Sequence, residues 1–129
     1  MKKIIFILIL FFSFQTSYAG DYKRITVQEA YRIKQTTKEK ILFLDVRTPE
    51  EFTGMKGHVK GSVLIPVQIL DQKLDLIKEY KDKEVLIICN SGNRSRTASV
   101  ILLRAGFQKI KDIDGGITAW NRAGFPSVR

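Results

Sequence analysis

The residues best suited to chemistry cluster between positions 85 and 99 of this chain. An unbroken apolar run, Val85 to Ile88, leads directly into Cys89, the only cysteine in the sequence. A polar turn containing Gly92 follows. Apolar residues then recur at the spacing of one helical face, at Ala98, Ile101, Leu102 and Ala105. This pattern predicts a strand buried on both faces, a tight loop and a helix, with the thiol where the strand ends.

Because Cys89 lies next to the start of a predicted helix, its thiol is expected to be reactive. Free backbone N–H groups and the helix dipole place partial positive charge on such a loop, and Arg94 and Arg96 add full charges. These surroundings favour the nucleophilic thiolate, and the same N–H groups can bind an anion. Ser95 or Asn93 is expected to cap the helix. The alternative is a buried thiol without a chemical role. We favour the reactive thiol because strand end, glycine turn, arginine and helix start coincide.

The segment from Cys89 to Ser95 has the form Cys-x-x-Gly-x-Arg-Ser and resembles the active-site loop of the rhodanese sulfurtransferase family. Two further motifs are similar to signatures of that family and occur in the same order. The first covers residues 45–52, 57–62 and 65–66, and the second covers 105–107, 114–117, 119–120 and 123–126. The resemblance extends over residues 24–127, which we predict to form one rhodanese-like domain.

Strand and helix patterns alternate along this domain, which predicts a mainly parallel sheet with helices on both faces. The resemblance implies the rhodanese-like α/β fold, with three layers (α/β/α) and a five-stranded sheet in the order 3-2-4-5-1. The first expected strand begins at Ile25, and the others cover 41–46, 63–65, 85–89 and 109–113. Helices are expected after Thr26, from Pro49 to Phe52, and over 68–81, 95–105 and 117–123.

The resemblance also implies a reaction. Cys89 would attack the sulfane sulfur of a small anionic donor such as thiosulfate and become a persulfide. The sulfur would then pass to cyanide or to a thiol, including the thiol of an acceptor protein. The substrate-binding loop would consist of Asn90, Ser91, Gly92, Asn93, Arg94 and Ser95. In it, backbone N–H groups surround the sulfur, Arg94 orients the donor and Ser95 forms a hydrogen bond within the loop. No metal and no other cofactor is expected.

Four residues outside the loop are also candidates for a role. Asp45 and Arg47 lie at the end of the second predicted strand, at the sheet edge where open α/β sheets bind ligands. We expect them to support the site by fixing loops through buried ionic hydrogen bonds. His58 is the only histidine, so a Cys–His pair is an alternative, but no pattern brings His58 to Cys89. Trp120 is expected in the core rather than in a pocket.

Two other functions remain open. Rhodanese-fold phosphatases and arsenate reductases have a longer loop, with arginine six positions after the cysteine, whereas Arg94 is five positions after Cys89. The shorter loop favours a sulfur atom over a phosphoryl group. A persulfide carrier or non-catalytic module is the other alternative, because a fold does not fix a function. Asn90 is neutral where efficient thiosulfate users of the family often carry a basic residue, so the donor stays open.

The chain length fits one domain, and the N-terminal segment indicates export. The formal net charge is +9, but lysines alternate with acids over residues 78–84, so we expect a solvated surface and no nucleic-acid partner. Residues 1–19 resemble a signal peptide: Lys2 and Lys3, an apolar run over 4–12, and a small-x-small site ending at Ala19. We expect cleavage before Gly20, export to a bacterial periplasm and no stable membrane anchor. A lone cysteine in that compartment favours a working thiol over a disulfide.

Overall fold

The computed structural model describes residues 2–3 and 20–129 of the chain. Apart from Lys2 and Lys3, the predicted signal peptide lies outside the described residues. Within the described part, no helix has both the length and the apolar character needed to cross a bilayer.

A five-stranded sheet forms the centre of the domain. Its strands are β1 (Asp21–Ile25), β2 (Leu42–Asp45), β3 (Val63–Leu64), β4 (Glu84–Ile88) and β5 (Lys109–Ile113). The spatial order is β1-β5-β4-β2-β3, and all four neighbouring pairs are parallel. This order is the predicted 3-2-4-5-1 read from the other edge, so the predicted fold is confirmed. The apolar run of β4 lies between β2 and β5, which explains why it lacks polar alternation.

The α-helices are α1 (Val27–Thr36), α2 (Pro49–Phe52), α3 (Arg94–Arg104) and α4 (Gly116–Arg122). Thr26 caps α1 by accepting a hydrogen bond from the Glu29 N–H. Thr48 and Glu51 form a reciprocal capping box on α2. The predicted side-chain cap of α3 is wrong. Asn93 occupies the N-cap position without a capping hydrogen bond, and Ser95 lies inside the first turn with its hydroxyl directed to another partner.

The single helix predicted over 68–81 is also wrong. The structure has two 3₁₀ segments there, Val67–Gln72 and Leu74–Tyr80, separated at Lys73. Leu74, Ile77 and Tyr80 are spaced three apart, which is the period of a 3₁₀ helix, so all three can face the sheet in that conformation.

Two apolar clusters cover the two faces of the sheet and make the three-layer arrangement. The 3₁₀ segments and α3 pack on one face, where Leu70, Ile77 and Leu102 are buried. On the other face α1 and α4 pack together, with Ala30 and Trp120 buried. The sheet is therefore shielded on both faces, and its carboxyl edge is the place where polar loops meet.

The start of α4 fixes the loop that follows β4. The N–H of Ile117 donates to the Cys89 carbonyl at 2.8 Å, and the N–H of Thr118 donates to the Asn90 carbonyl at 3.1 Å. This contact requires Gly116, whose φ is +56° and whose place for a Cβ is occupied by the carbonyl groups of Cys89 and Asn90. A glycine therefore lets two chain segments meet behind the thiol.

We expect Gly116→Ala to destabilise the fold more than Gly61→Ala. Both positions have positive φ, but a Cβ at Gly61 meets nothing within 4 Å. Gly61→Ala should therefore cost only the conformational strain of about 1 kcal/mol, and Gly116→Ala should cost at least about 2 kcal/mol more because the backbone must separate. Urea unfolding measures both free energies of unfolding. Equal losses would contradict the close approach.

Candidate active site

Cys89 lies directly after β4, at the carboxyl edge of the sheet, as the sequence predicted. It is 1% exposed and packs in the apolar cluster that faces α3. Because β4 is the central strand, the residues that follow β2 and β5 flank the loop from both sides. The thiol is therefore held on rigid elements and covered by its own loop.

The sulfur of Cys89 receives a backbone hydrogen bond from within its loop. The N–H of Gly92 donates to Sγ at 3.0 Å. This turn favours glycine because its φ is +102°, and a Cβ there would also displace the Arg24 guanidinium. A donor directed at the sulfur stabilises negative charge on it, whether the sulfur is a thiolate or part of a persulfide.

The other N–H groups of the loop add partial positive charge to it. Within residues 20–129, the N–H groups of Asn90, Ser91, Asn93, Arg94 and Ser95 have no protein acceptor. Ser91 and Asn93 are exposed, Gly92 is buried and Asn90 is partly buried. These loop donors are therefore available to an anion bound at the loop.

Ser95 connects the sulfur to a buried carboxylate that the sequence analysis did not identify. The Ser95 hydroxyl donates to Asp112 Oδ1 at 2.5 Å, and its oxygen lies 3.6 Å from the sulfur as an acceptor for the thiol proton. Asp112 Oδ2 accepts from Arg24 at 3.0 Å and from the Tyr22 hydroxyl at 2.9 Å. Partial burial and this hydrogen bond raise the pKa of Tyr22. Asp112 is fully buried, so the network fixes Ser95 by charge-assisted hydrogen bonds.

Arg94 makes a contact that the sequence did not predict. Its two terminal nitrogens donate to the two oxygens of Glu51 at 2.6 and 2.7 Å, in a bidentate pair. The hydrogen bond from Arg94 lowers the pKa of Glu51 to about 2, although partial burial opposes the shift. The same bond raises the pKa of Arg94. Arg94, which the family resemblance implies orients the sulfur donor, is thus paired with a carboxylate of α2.

Asp45 and Arg47 form a buried ion pair at the end of β2, with exposures of 0% and 1%. Arg47 donates to both oxygens of Asp45, at 2.7 to 3.2 Å. It also donates to the carbonyls of Gly57 at 2.8 Å and Glu51 at 3.3 Å. These contacts connect the end of β2 to the loop after α2, and none of them reaches the sulfur.

His58 and Trp120 have partners away from the thiol. The His58 ring stacks on Phe52 at 3.6 Å between centroids, and its Nδ1 lies 2.7 Å from the Phe52 carbonyl. Trp120 is buried and donates to the Pro126 carbonyl at 3.0 Å. Among the described residues, no contact joins His58 to Cys89, and no cluster of three or more His, Cys, Asp or Glu could hold a metal.

Sequence reasoning missed Arg24, Glu51 and Asp112. Glu51 carried a signal, because Thr48-x-x-Glu51 has capping-box spacing. The sequence also contained a signal for Asp112, because it shares a face of β5 with buried Ile110. A carboxylate in that position needs buried hydrogen-bond partners. Nothing local indicates the partners themselves, which lie 43 and 88 residues away in the chain.

Comparison with known proteins places these features in a family. A family model described as a rhodanese-like domain matches residues 26–123. A sulfurtransferase of Allochromatium vinosum is 34% identical over 90 residues, 70% of this chain and 80% of that protein. The chloroplastic thiosulfate sulfurtransferase 16 of Arabidopsis thaliana is 36% identical over 95 residues, 66% of this chain and 78% of the relative. A crystal structure of a rhodanese-related protein from Thermoplasma volcanium matches with a TM-score of 0.71 at 33% identity, covering 83% of this chain and 98% of that one.

The Glu51–Arg94 pair should contribute to stability in a pH-dependent way. Because folding lowers the pKa of Glu51, the contribution is complete above the ordinary glutamate pKa of about 4.3 and is lost as the pH falls towards 2. Both side chains are about one-third exposed, so we expect a coupling of about 1 kcal/mol at pH 7. A double-mutant cycle of Glu51→Gln and Arg94→Gln, measured by urea unfolding at pH 7 and pH 3, tests this.

The exposed pair Lys40–Glu79 provides the matched control, because both its side chains are more than half exposed. Its coupling should be near zero at both pH values. A Glu51–Arg94 coupling that does not exceed this control would show that the bidentate contact contributes nothing in solution.

Proposed function

This chain belongs to the rhodanese-like domain family, and we propose that it is a sulfurtransferase that carries a sulfur atom on Cys89. The observation that supports this proposal is the loop around the thiol. It directs the Gly92 N–H at the sulfur and leaves five more N–H groups of the loop without a protein acceptor among the described residues. Such a site stabilises a second, negatively charged sulfur bonded to the first.

The first step forms the persulfide. The Cys89 thiolate attacks the outer sulfur of thiosulfate, a new S–S bond forms, and the S–S bond to the sulfonate group breaks. Sulfite leaves with the electron pair of that bond. The Gly92 N–H would stabilise the attacking sulfur, and the loop N–H groups without a protein acceptor among residues 20–129 would donate to the transferred sulfur and the donor oxygens.

The second step returns the thiolate. Cyanide or an acceptor thiolate attacks the terminal sulfur, and the bond between that sulfur and Sγ breaks with its electron pair on Cys89. Ser95 acts at this stage through its orientation. Its O–H donates a hydrogen bond to Asp112, so its oxygen can accept a hydrogen bond from a neutral thiol but cannot donate one to a thiolate. The backbone donors are therefore the groups that stabilise the anionic sulfur.

We expect wild-type protein incubated with thiosulfate to gain one sulfur atom on Cys89, as measured by intact mass. Cys89→Ser should gain none, because an alcohol does not form the persulfide. Adding cyanide should remove the sulfur and produce thiocyanate in repeated turnovers. A persulfide carrier would gain the sulfur but release it to a thiol without turnover on cyanide. No mass gain on the wild-type protein would exclude thiosulfate as the donor.

We further propose that the mature protein is exported and begins at Gly20. The supporting features are Lys2, Lys3, the apolar run and the small residues before Gly20. N-terminal sequencing of protein purified from its native cells should find Gly20 as the first residue. Protein that starts at Met1 would contradict this proposal.

A further inference from the structure

Three of the arginines near the Cys89 loop are engaged by carboxylates. Arg47 pairs with Asp45 at 2.7 Å. Arg94 pairs with Glu51 at 2.6 Å. The third, Arg24, pairs with two aspartates, as described next. None of these guanidiniums therefore offers an unbalanced charge to an incoming anion.

Two carboxylates share the guanidinium of Arg24. Arg24 contacts Asp112 at 3.0 Å and Asp114 at 2.8 Å, so one cation faces two carboxylates. The hydrogen bond from Arg24 lowers the pKa of Asp114, which keeps this carboxylate ionised. With Arg96, which is exposed in the first turn of α3 and has no carboxylate partner among the described residues, four guanidiniums near the loop face four carboxylates. The binding of a dianionic donor such as thiosulfate therefore gains from a further cation at the entrance.

Lys56 is that cation. Its ammonium donates to Asn90 Oδ1 at 2.8 Å and to Thr118 Oγ1 at 3.1 Å, and both of these partners are neutral. Its carbonyl accepts from the Asn121 side chain at 2.9 Å, which fixes its backbone against α4. Among the described residues, Lys56 has no carboxylate partner, and one of its three ammonium protons has no acceptor.

A cavity of about 260 Å³ lies beside this ammonium. Lys56, Asn90 and Glu51 line it, together with Arg47 and Met55. It is adjacent to the residue that follows Cys89, so a small donor in it is next to the thiol's loop. Glu51 and Arg47, which also line this cavity, are each paired with an opposite charge, so among the described lining residues Lys56 is the one whose charge no salt bridge balances.

We propose that Lys56 is the residue that selects anionic sulfur donors at the entrance to the Cys89 loop. The donor-binding part of this inference rests on the proposed sulfurtransferase function. In thiosulfate transfer, the ammonium contacts the sulfonate oxygens while the outer sulfur faces Cys89. The neutral Asn90 then has a defined role, because its amide oxygen positions the cation. The cation comes from the loop after α2 and not from the cysteine loop itself.

The experiment compares two alkylating reagents of similar size, anionic iodoacetate and neutral iodoacetamide, on Cys89 at low ionic strength. Their rate ratio reports the local charge without requiring any sulfur transfer. Lys56→Gln should lower the ratio of iodoacetate to iodoacetamide roughly three- to tenfold, and Lys56→Arg should restore most of it. Since salt screens an exposed charge, 0.5 M NaCl should reduce the difference.

The matched control is Lys60→Gln, which removes an exposed lysine of the same loop without a contact to Asn90. Its ratio should equal that of the wild type. Arg96→Gln tests the nearby arginine of α3, whose charge acts on Tyr22 and Asp114. An unchanged ratio in Lys56→Gln, or an equal fall in Lys60→Gln or Arg96→Gln, overturns the assignment.

Thiosulfate kinetics complete the test. Lys56→Gln should raise the KM for thiosulfate roughly three- to tenfold and leave kcat within about twofold, because the ammonium binds the donor and not the reacting sulfur. A fall in kcat with an unchanged KM overturns the role in donor binding. If the wild-type protein transfers no sulfur but the alkylation ratio still depends on Lys56, the proposed function fails while Lys56 is supported as the anion-selecting residue.

Discussion

The hydrogen bond from the Gly92 N–H to the Cys89 sulfur determines the shape of the rest of the site. To make it, the chain must turn back within three residues, which requires the left-handed conformation of Gly92. A Cβ at this turn would displace the guanidinium of Arg24, which also donates to the Gly92 carbonyl. The same arginine holds Asp112, and Asp112 holds Ser95. One backbone contact to sulfur therefore depends on residues from β1, β5 and α3.

Much of the fold could be predicted from the sequence because it follows from local patterns. Apolar runs identified β2 and β4, and the predicted bounds of β5 agree with the structure at both ends. The sheet order required the family resemblance, since periodicity alone does not say which strands are neighbours. The segment 68–81 was misassigned because spacings of three and four residues fit an α-helix as well as 3₁₀ turns.

The site was predictable only in part, because some of its residues are contiguous in the chain and others come from separate elements. Cys89 and its loop are contiguous in the chain, so their residue types show what the loop can do. The charges around them come from separate elements: Glu51 is on α2, Asp112 is on β5 and Lys56 is on the loop after α2. Which carboxylate neutralises which arginine depends on three-dimensional packing. The sequence therefore indicated Arg94 as a cation for the donor, whereas the structure shows it engaged by Glu51.

Burial of the thiol and transfer of its sulfur are compatible in this geometry. Cys89 is 1% exposed, so a bulky acceptor does not reach Sγ directly. A persulfide lengthens the side chain by one S–S bond of about 2.05 Å, and the atom to be transferred is the outer one. In the proposed persulfide, the apolar cluster would cover Sγ, while the loop N–H groups that have no acceptor among residues 20–129 would be available to the outer sulfur. A buried thiol beneath a donor-rich loop thus favours small sulfur donors over large ones, and the charge at the loop entrance then becomes the property that distinguishes among small donors.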